Sequence, residues 1–199
     1  MRKFTGPLAF LLLLATACSP RDFLTRRLAA DLIAGSDTFQ MPQQFWLRTG
    51  PVSNKDYSSP EYLVLQRHGW ITATNVACPA NLTPPPCWDV ILTPLGIDTI
   101  RNWVPTSVGK SHYFSVPVGR RELLEITGIT KNGNMADVEF RWRWLALNEL
   151  GSGLYAPNMD YKSTVGFIHY DDGWRIIEGS APKSSQGVDE ALKNATPAP

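Results

Sequence analysis

The sequence predicts an α+β fold, with N-terminal helices and a β-hairpin ahead of an antiparallel β-meander. Three observations predict it. Leu24, Leu28, Leu32 and Ile33 recur at helical spacing near the start of the chain. Two apolar stretches, WITATNVA and WDVILT, flank a proline-rich loop bounded by Cys78 and Cys87. From residue 112 onward, apolar and polar residues alternate with period two. The 199 residues are 43% apolar, enough for a packed core, which excludes a fully disordered chain. The formal charge of +1 argues against a nucleic-acid partner, which calls for a clear basic excess.

Residues 19–36 read as the first helix, with Arg26, Arg27 and Asp31 off the apolar stripe and Gly35 as its stop. Residues 37–57 are polar and read as irregular, with Phe45, Trp46 and Leu47 as a docking point. Ser59-Pro60-Glu61 starts a second helix: a capping serine, a proline in the first turn and an acid near the positive end. It runs through EYLVLQRH to Gly69, leaving His68 at its C-terminal end, where the dipole favours a cation. After the hairpin, Thr93-Pro94 opens a short helix, LGIDTIRNWV.

The period-two segments are HYFSVPV, RRELLEITGIT, MADVEFRWRWLAL, YKSTVGFIHY and WRIIE. Asn132-Gly133-Asn134 and Asp171-Asp172-Gly173 supply hairpin turns. The clearest strand puts Ala136, Val138, Phe140, Trp142 and Trp144 on one face, with Asp137, Glu139, Arg141 and Arg143 on the other. Residues 148–160 read as a loop. The Ser-, Pro- and Ala-rich residues 179–199 read as a flexible C-terminal tail, with one weak helical turn near VDEALKN.

The first eighteen residues, MRKFTGPLAFLLLLATAC, have the layout of an export signal: Arg2 and Lys3, an apolar run, then Ala15, Thr16 and Ala17 before Cys18. The apolar run falls short of the ~20 residues a membrane-spanning helix needs. The small residues before Cys18 resemble the lipobox of bacterial lipoproteins, although Ala15 stands where that motif prefers Leu. The resemblance implies cleavage after residue 17 and acylation of Cys18, anchoring the chain to a membrane. Ser19, in place of an Asp retention signal, implies an outer membrane, with the protein facing the periplasm. An ordinary secreted protein cleaved after Ala17 is the alternative.

With Cys18 acylated, Cys78 and Cys87 form an even pair in an oxidising compartment, so a disulfide is expected. A metal site is the alternative for the pair, but no third or fourth ligand lies nearby. The full expectation is thus α+β: N-terminal helices with a disulfide-pinned β-hairpin, followed by an antiparallel β-meander. The chain divides into signal peptide 1–17, helical part 18–105, sheet part 106–178 and tail 179–199. Helix, hairpin and LTPLG over 58–103 resemble the end of a winged-helix domain, which implies DNA binding; export and near-neutral charge oppose that function. The ending over 161–178, with YDDG and then WRI, resembles the last hairpin of cystatin-like and nuclear-transport-factor-2-like α+β folds.

Catalytic motifs are fragmentary, and the sequence predicts no catalytic residue, cofactor or metal site. His68, His112 and His169 are scattered. Gly109-Lys110-Ser111 matches only the end of a P-loop, since Val104 stands where the first glycine belongs. Ser107–Lys110 and Ser180–Lys183 fit S-x-x-K, which this composition produces by chance. Leu150 replaces the first glycine of G-x-S-x-G around Ser152. Asn148, Glu149, Asn158 and Asp160 offer oxygen atoms without calcium-loop spacing. Two binding constellations remain. Phe140, Trp142, Trp144 and Trp174 are candidates to line an apolar pocket, and Arg141 and Arg143 to bind an anion. The expected role is a non-catalytic docking or assembly module with an envelope protein partner. The alternatives are a binder of a small apolar or lipid-like ligand, and an envelope hydrolase.

Overall fold

A computed structural model describes residues 23–80, 82, 85–104, 112–178 and 186–198. The signal peptide, Cys18, the P-loop-like residues 109–111 and both S-x-x-K fragments lie outside the described residues.

The first helix, α1 (Arg26–Ala34), is shorter than its sequence span. Its cap is Thr25, whose hydroxyl accepts the Leu28 N–H at 3.1 Å. Residues 37–57 are more regular than their polarity predicts. They form α2 (Asp37–Gln40), β1 (Gln43–Arg48), β2 (Gly50–Ser53) and α3 (Asn54–Tyr57). Leu47 is fully buried and Phe45 partly buried, while Trp46 between them faces out, so β1 is a half-buried strand. Next come α4 (Pro60–Arg67), β3 (Ile71–Val76), β4 (Cys87–Leu92) and α5 (Pro94–Trp103). Both helices start at the expected prolines. His68 closes α4 and stacks on Trp70, ring centroids 4.3 Å apart.

The meander is built from β5 (Tyr113–Asn132), β6 (Met135–Ala146), β7 (Asp160–Tyr170) and β8 (Gly173–Ile176). Helix α6 (Glu149–Leu154) lies in the stretch expected to be loop. Helix α7 (Val188–Lys193) and β9 (Thr196–Pro197) complete the chain. Gly133 turns the β5–β6 hairpin at φ +63°, a conformation that favours glycine. The six-stranded sheet runs β1-β5-β6-β7-β8, with β9 also pairing β7. A three-stranded sheet runs β2-β4-β3. All pairings are antiparallel. The Cys78–Cys87 disulfide ties the loop between β3 and β4, with its Cα atoms 5.1 Å apart.

Two apolar cores lie along β5. One packs Ala29, Ile33 and Phe39 of α1 and α2 onto Val138, Phe140, Val165 and Phe167 of the large sheet. The other joins Leu65, Val90 and Ile100 to Leu47, Phe114, Val116 and Leu150. The expected parts 18–105 and 106–178 are therefore interleaved, since each core draws on both. The tail also needs correction. Residues 179–185 lie outside the described residues, but Val188, Ala191 and Leu192 are buried in the first core. Apolar residues at i, i+3 and i+4 give α7 one face to bury, and that outweighs the polar composition around it.

Candidate functional site: a cleft floored by tryptophan and arginine

The inner face of the large sheet supplies the floor of a cleft. Trp142 and Trp144 alternate inward on β6. Their cross-strand partners are Tyr161 on β7, opposite Trp142, and Arg121 on β5, opposite Trp144. The rings form a continuous row. Tyr161 stacks on Trp142 at 4.8 Å, Trp142 meets Trp144 edge-on at 5.6 Å, and Trp144 stacks on Tyr155 at 4.6 Å. Trp142 Nε1 donates to Ser163 Oγ at 3.0 Å, which fixes its ring.

The Arg121 guanidinium lies over Trp144, 4.5 Å from the ring centroid, and 5.8 Å from Trp142. Its Nη1 donates to the Thr38 carbonyl of α2 at 2.8 Å. Its Nε is buried and has no hydrogen-bond partner among the described residues. Burial pulls the Arg121 pKa down from its ordinary value, an effect partly offset by the charge of Asp189. The roof comes from Thr38 of α2 and from Asp189, Leu192 and Lys193 of α7. The Thr38 hydroxyl donates to Asp189 Oδ1 at 2.8 Å, linking the two roof helices. The cleft holds about 470 Å³, within the range for small-molecule sites.

The six residues expected to bind a ligand are divided by the structure. Trp142 and Trp144 line the cleft. Phe140 is 0% exposed and packs edge-on against Phe39. Trp174 lies further along the sheet beside His169, with Lys131 over its ring. Arg141 and Arg143 point to the opposite face. Arg141 donates to Glu125 at 2.8 Å and Asp160 at 2.5 Å, and Arg143 to Glu122 at 2.6 Å. The hydrogen bonds to Glu125 and Asp160 push the Arg141 pKa up. These arginines are cross-strand partners of acids and do not line this cleft; Arg143 borders a separate hollow with the edge of Trp144 and Tyr155.

The loop oxygens are also engaged elsewhere. Asn148 caps α6 through Gly151 N–H and donates to the Pro117 carbonyl at 2.8 Å. Glu149 accepts from Trp103 Nε1 at 3.0 Å. Among the described residues, no group of three His, Cys, Asp or Glu side chains converges to hold a metal.

Arg121 is the site residue that sequence reasoning missed. Counting by twos back from inward Ile126 puts Arg121 on the outer face. One extra residue, Leu124, bulges between the pairs Leu123–Trp142 and Glu125–Arg141. The bulge reverses the phase and turns Arg121 inward.

Comparisons with protein-family profiles, with curated proteins and with solved structures find no match.

Proposed function

We propose that this chain is a lipid-anchored cell-envelope protein with a docking or assembly role, held through Cys18 at an outer membrane and facing the periplasm. The export-type N-terminus and its lipobox-like end support the anchor, and the disulfide is compatible with an oxidising compartment. The geometry near Phe23 supports it too. From Cys18 to Phe23 the chain reaches at most about 18 Å, whatever its conformation. Phe23 is exposed, and Lys131 Nζ lies 5.3 Å from its ring centroid. The turns after β5 and β7 meet at this end, where His169 N–H donates to the Asn134 carbonyl at 2.8 Å. Exposed Tyr170 and Arg175 stand on the same hairpin end. Aromatic and basic side chains suit a headgroup layer.

Trp46 carries the docking role. It projects from edge strand β1 and is 67% exposed. Large aromatics of this kind anchor protein interfaces. Intact mass of membrane-extracted protein tests the anchor: a chain starting at Cys18 with added acyl groups is expected, and an unmodified Cys18 would overturn it. Photocrosslinking from position 46 in intact cells tests docking. One reproducible envelope protein adduct is expected; adducts indistinguishable from those of a distant surface position would refute it.

The second reading is a small-ligand binder. The half-buried Arg121 over the tryptophan floor favours it, and native mass spectrometry tests it through a co-purifying mass lost on Arg121→Gln.

A further inference from the structure

We propose that the Arg121 cleft binds a small organic anion, a carboxylate or phosphate group carried on a ring body. This deepens the ligand reading above and does not depend on the lipid anchor. The cation is the first reason. Arg121 sits on the inward face of a sheet, where an aliphatic residue could cover Trp144 without the cost of desolvating a charge. Among the described residues no carboxylate lies within ion-pairing distance of it. Among the described residues a single hydrogen bond, to the Thr38 carbonyl, holds its five-donor fork. A planar guanidinium with spare donors matches a carboxylate or phosphate.

The charge balance of the lining is the second reason. Lys193 adds a second cation at the exposed rim, while the one acid, Asp189, already accepts the Thr38 hydroxyl. The cleft therefore presents a net positive charge. The floor is the third reason. Tyr161 is a partly exposed member of the aromatic row with one face on Trp142, so it can stack against a ring while Arg121, lying over Trp144, takes its acidic group. The ligand thus differs from the apolar one that the sequence implies, because its recognition depends on charge.

The test is a titration of the exported full chain, followed by tryptophan fluorescence and by the indole N–H resonances in NMR. The probes are benzoate, phenyl phosphate, glucuronate and their neutral counterparts benzyl alcohol and glucose. The anions are expected to shift the Trp144 indole resonance and to bind about ten-fold tighter than the neutral compounds, as expected for a hydrogen bond to a charged group. Benzoate and glucuronate against phenyl phosphate separate a carboxylate ligand from a phosphate one. Arg121→Gln should abolish the preference, while Arg143→Gln on the outer face should keep it. If Arg121→Gln fails to fold, Lys193→Gln at the exposed rim should weaken anion binding two- to five-fold. Equal binding of anions and neutral compounds would overturn this inference but keep the ligand reading. No perturbation by any probe at millimolar concentration, with no co-purifying mass, would overturn both.

Discussion

Single residues carry consequences that can be measured. A Cβ on Gly151 would lie 1.9 Å from the Val118 carbonyl oxygen, so α6 can only approach β5 with glycine at that position. Gly151→Ala is expected to cost about 2–4 kcal/mol in urea unfolding, since backbone must move to relieve the clash. Tyr62 makes a different kind of contact. Its hydroxyl donates to the Arg48 carbonyl at 2.8 Å and accepts the Arg48 N–H at 3.0 Å. Burial, the largest cause, pushes its pKa up from 10.0 to about 12. The folded state therefore holds this proton more tightly than the unfolded chain. Stability from this group is complete below pH 10 and is lost as pH rises toward 12, at up to roughly 1.4 kcal/mol per pH unit. Tyr62→Phe should be less stable at neutral pH and should lose that alkaline slope, measured by denaturant midpoints across pH.

Secondary-structure elements test how the chain was read. The tail helix α7 buries Val188, Ala191 and Leu192, so its amides should resist hydrogen exchange in step with the sheet beneath it. Exchange at the rate of a free peptide would contradict that packing. The loop closed by Cys78 and Cys87 offers a second test. Selective reduction should lower stability by roughly 2–3 kcal/mol, the loop-closure entropy of about ten residues. Elements with a local signal were legible in the sequence: the prolines opening α4 and α5, both hairpin turns, and the unbroken alternation of β6. Those lacking one were not. Strand β1 hides its pattern among glutamines, and α6 carries two glycines that lower helix propensity but allow close packing. Half of the cleft was legible for the same reason. Trp142 and Trp144 stand in a regular strand, whereas Arg121 sits beyond a bulge that depends on pairing with β6. Its roof depends on α7, whose apolar face matters only once a sheet is there to meet it.

At the scale of the whole molecule, β5 joins the two cores. Its first half buries Phe114, Val116 and Val118 in one, and its second half buries Ile126 in the other. Neither core keeps its floor if that strand leaves the sheet. Thermal unfolding should therefore follow a single transition by near-ultraviolet dichroism and by calorimetry; two separated transitions would show that the cores melt independently. The same strand also has a mechanical meaning. A bilayer tether would pull at α1, which packs on the second half of β5, while a partner gripping Trp46 would pull at β1, which pairs with its first half. Tension between them would run lengthwise along β5 and load its cross-strand hydrogen bonds in shear. Bonds loaded in that direction share the force and yield together, so the strand would serve as a tie rod between anchor and partner.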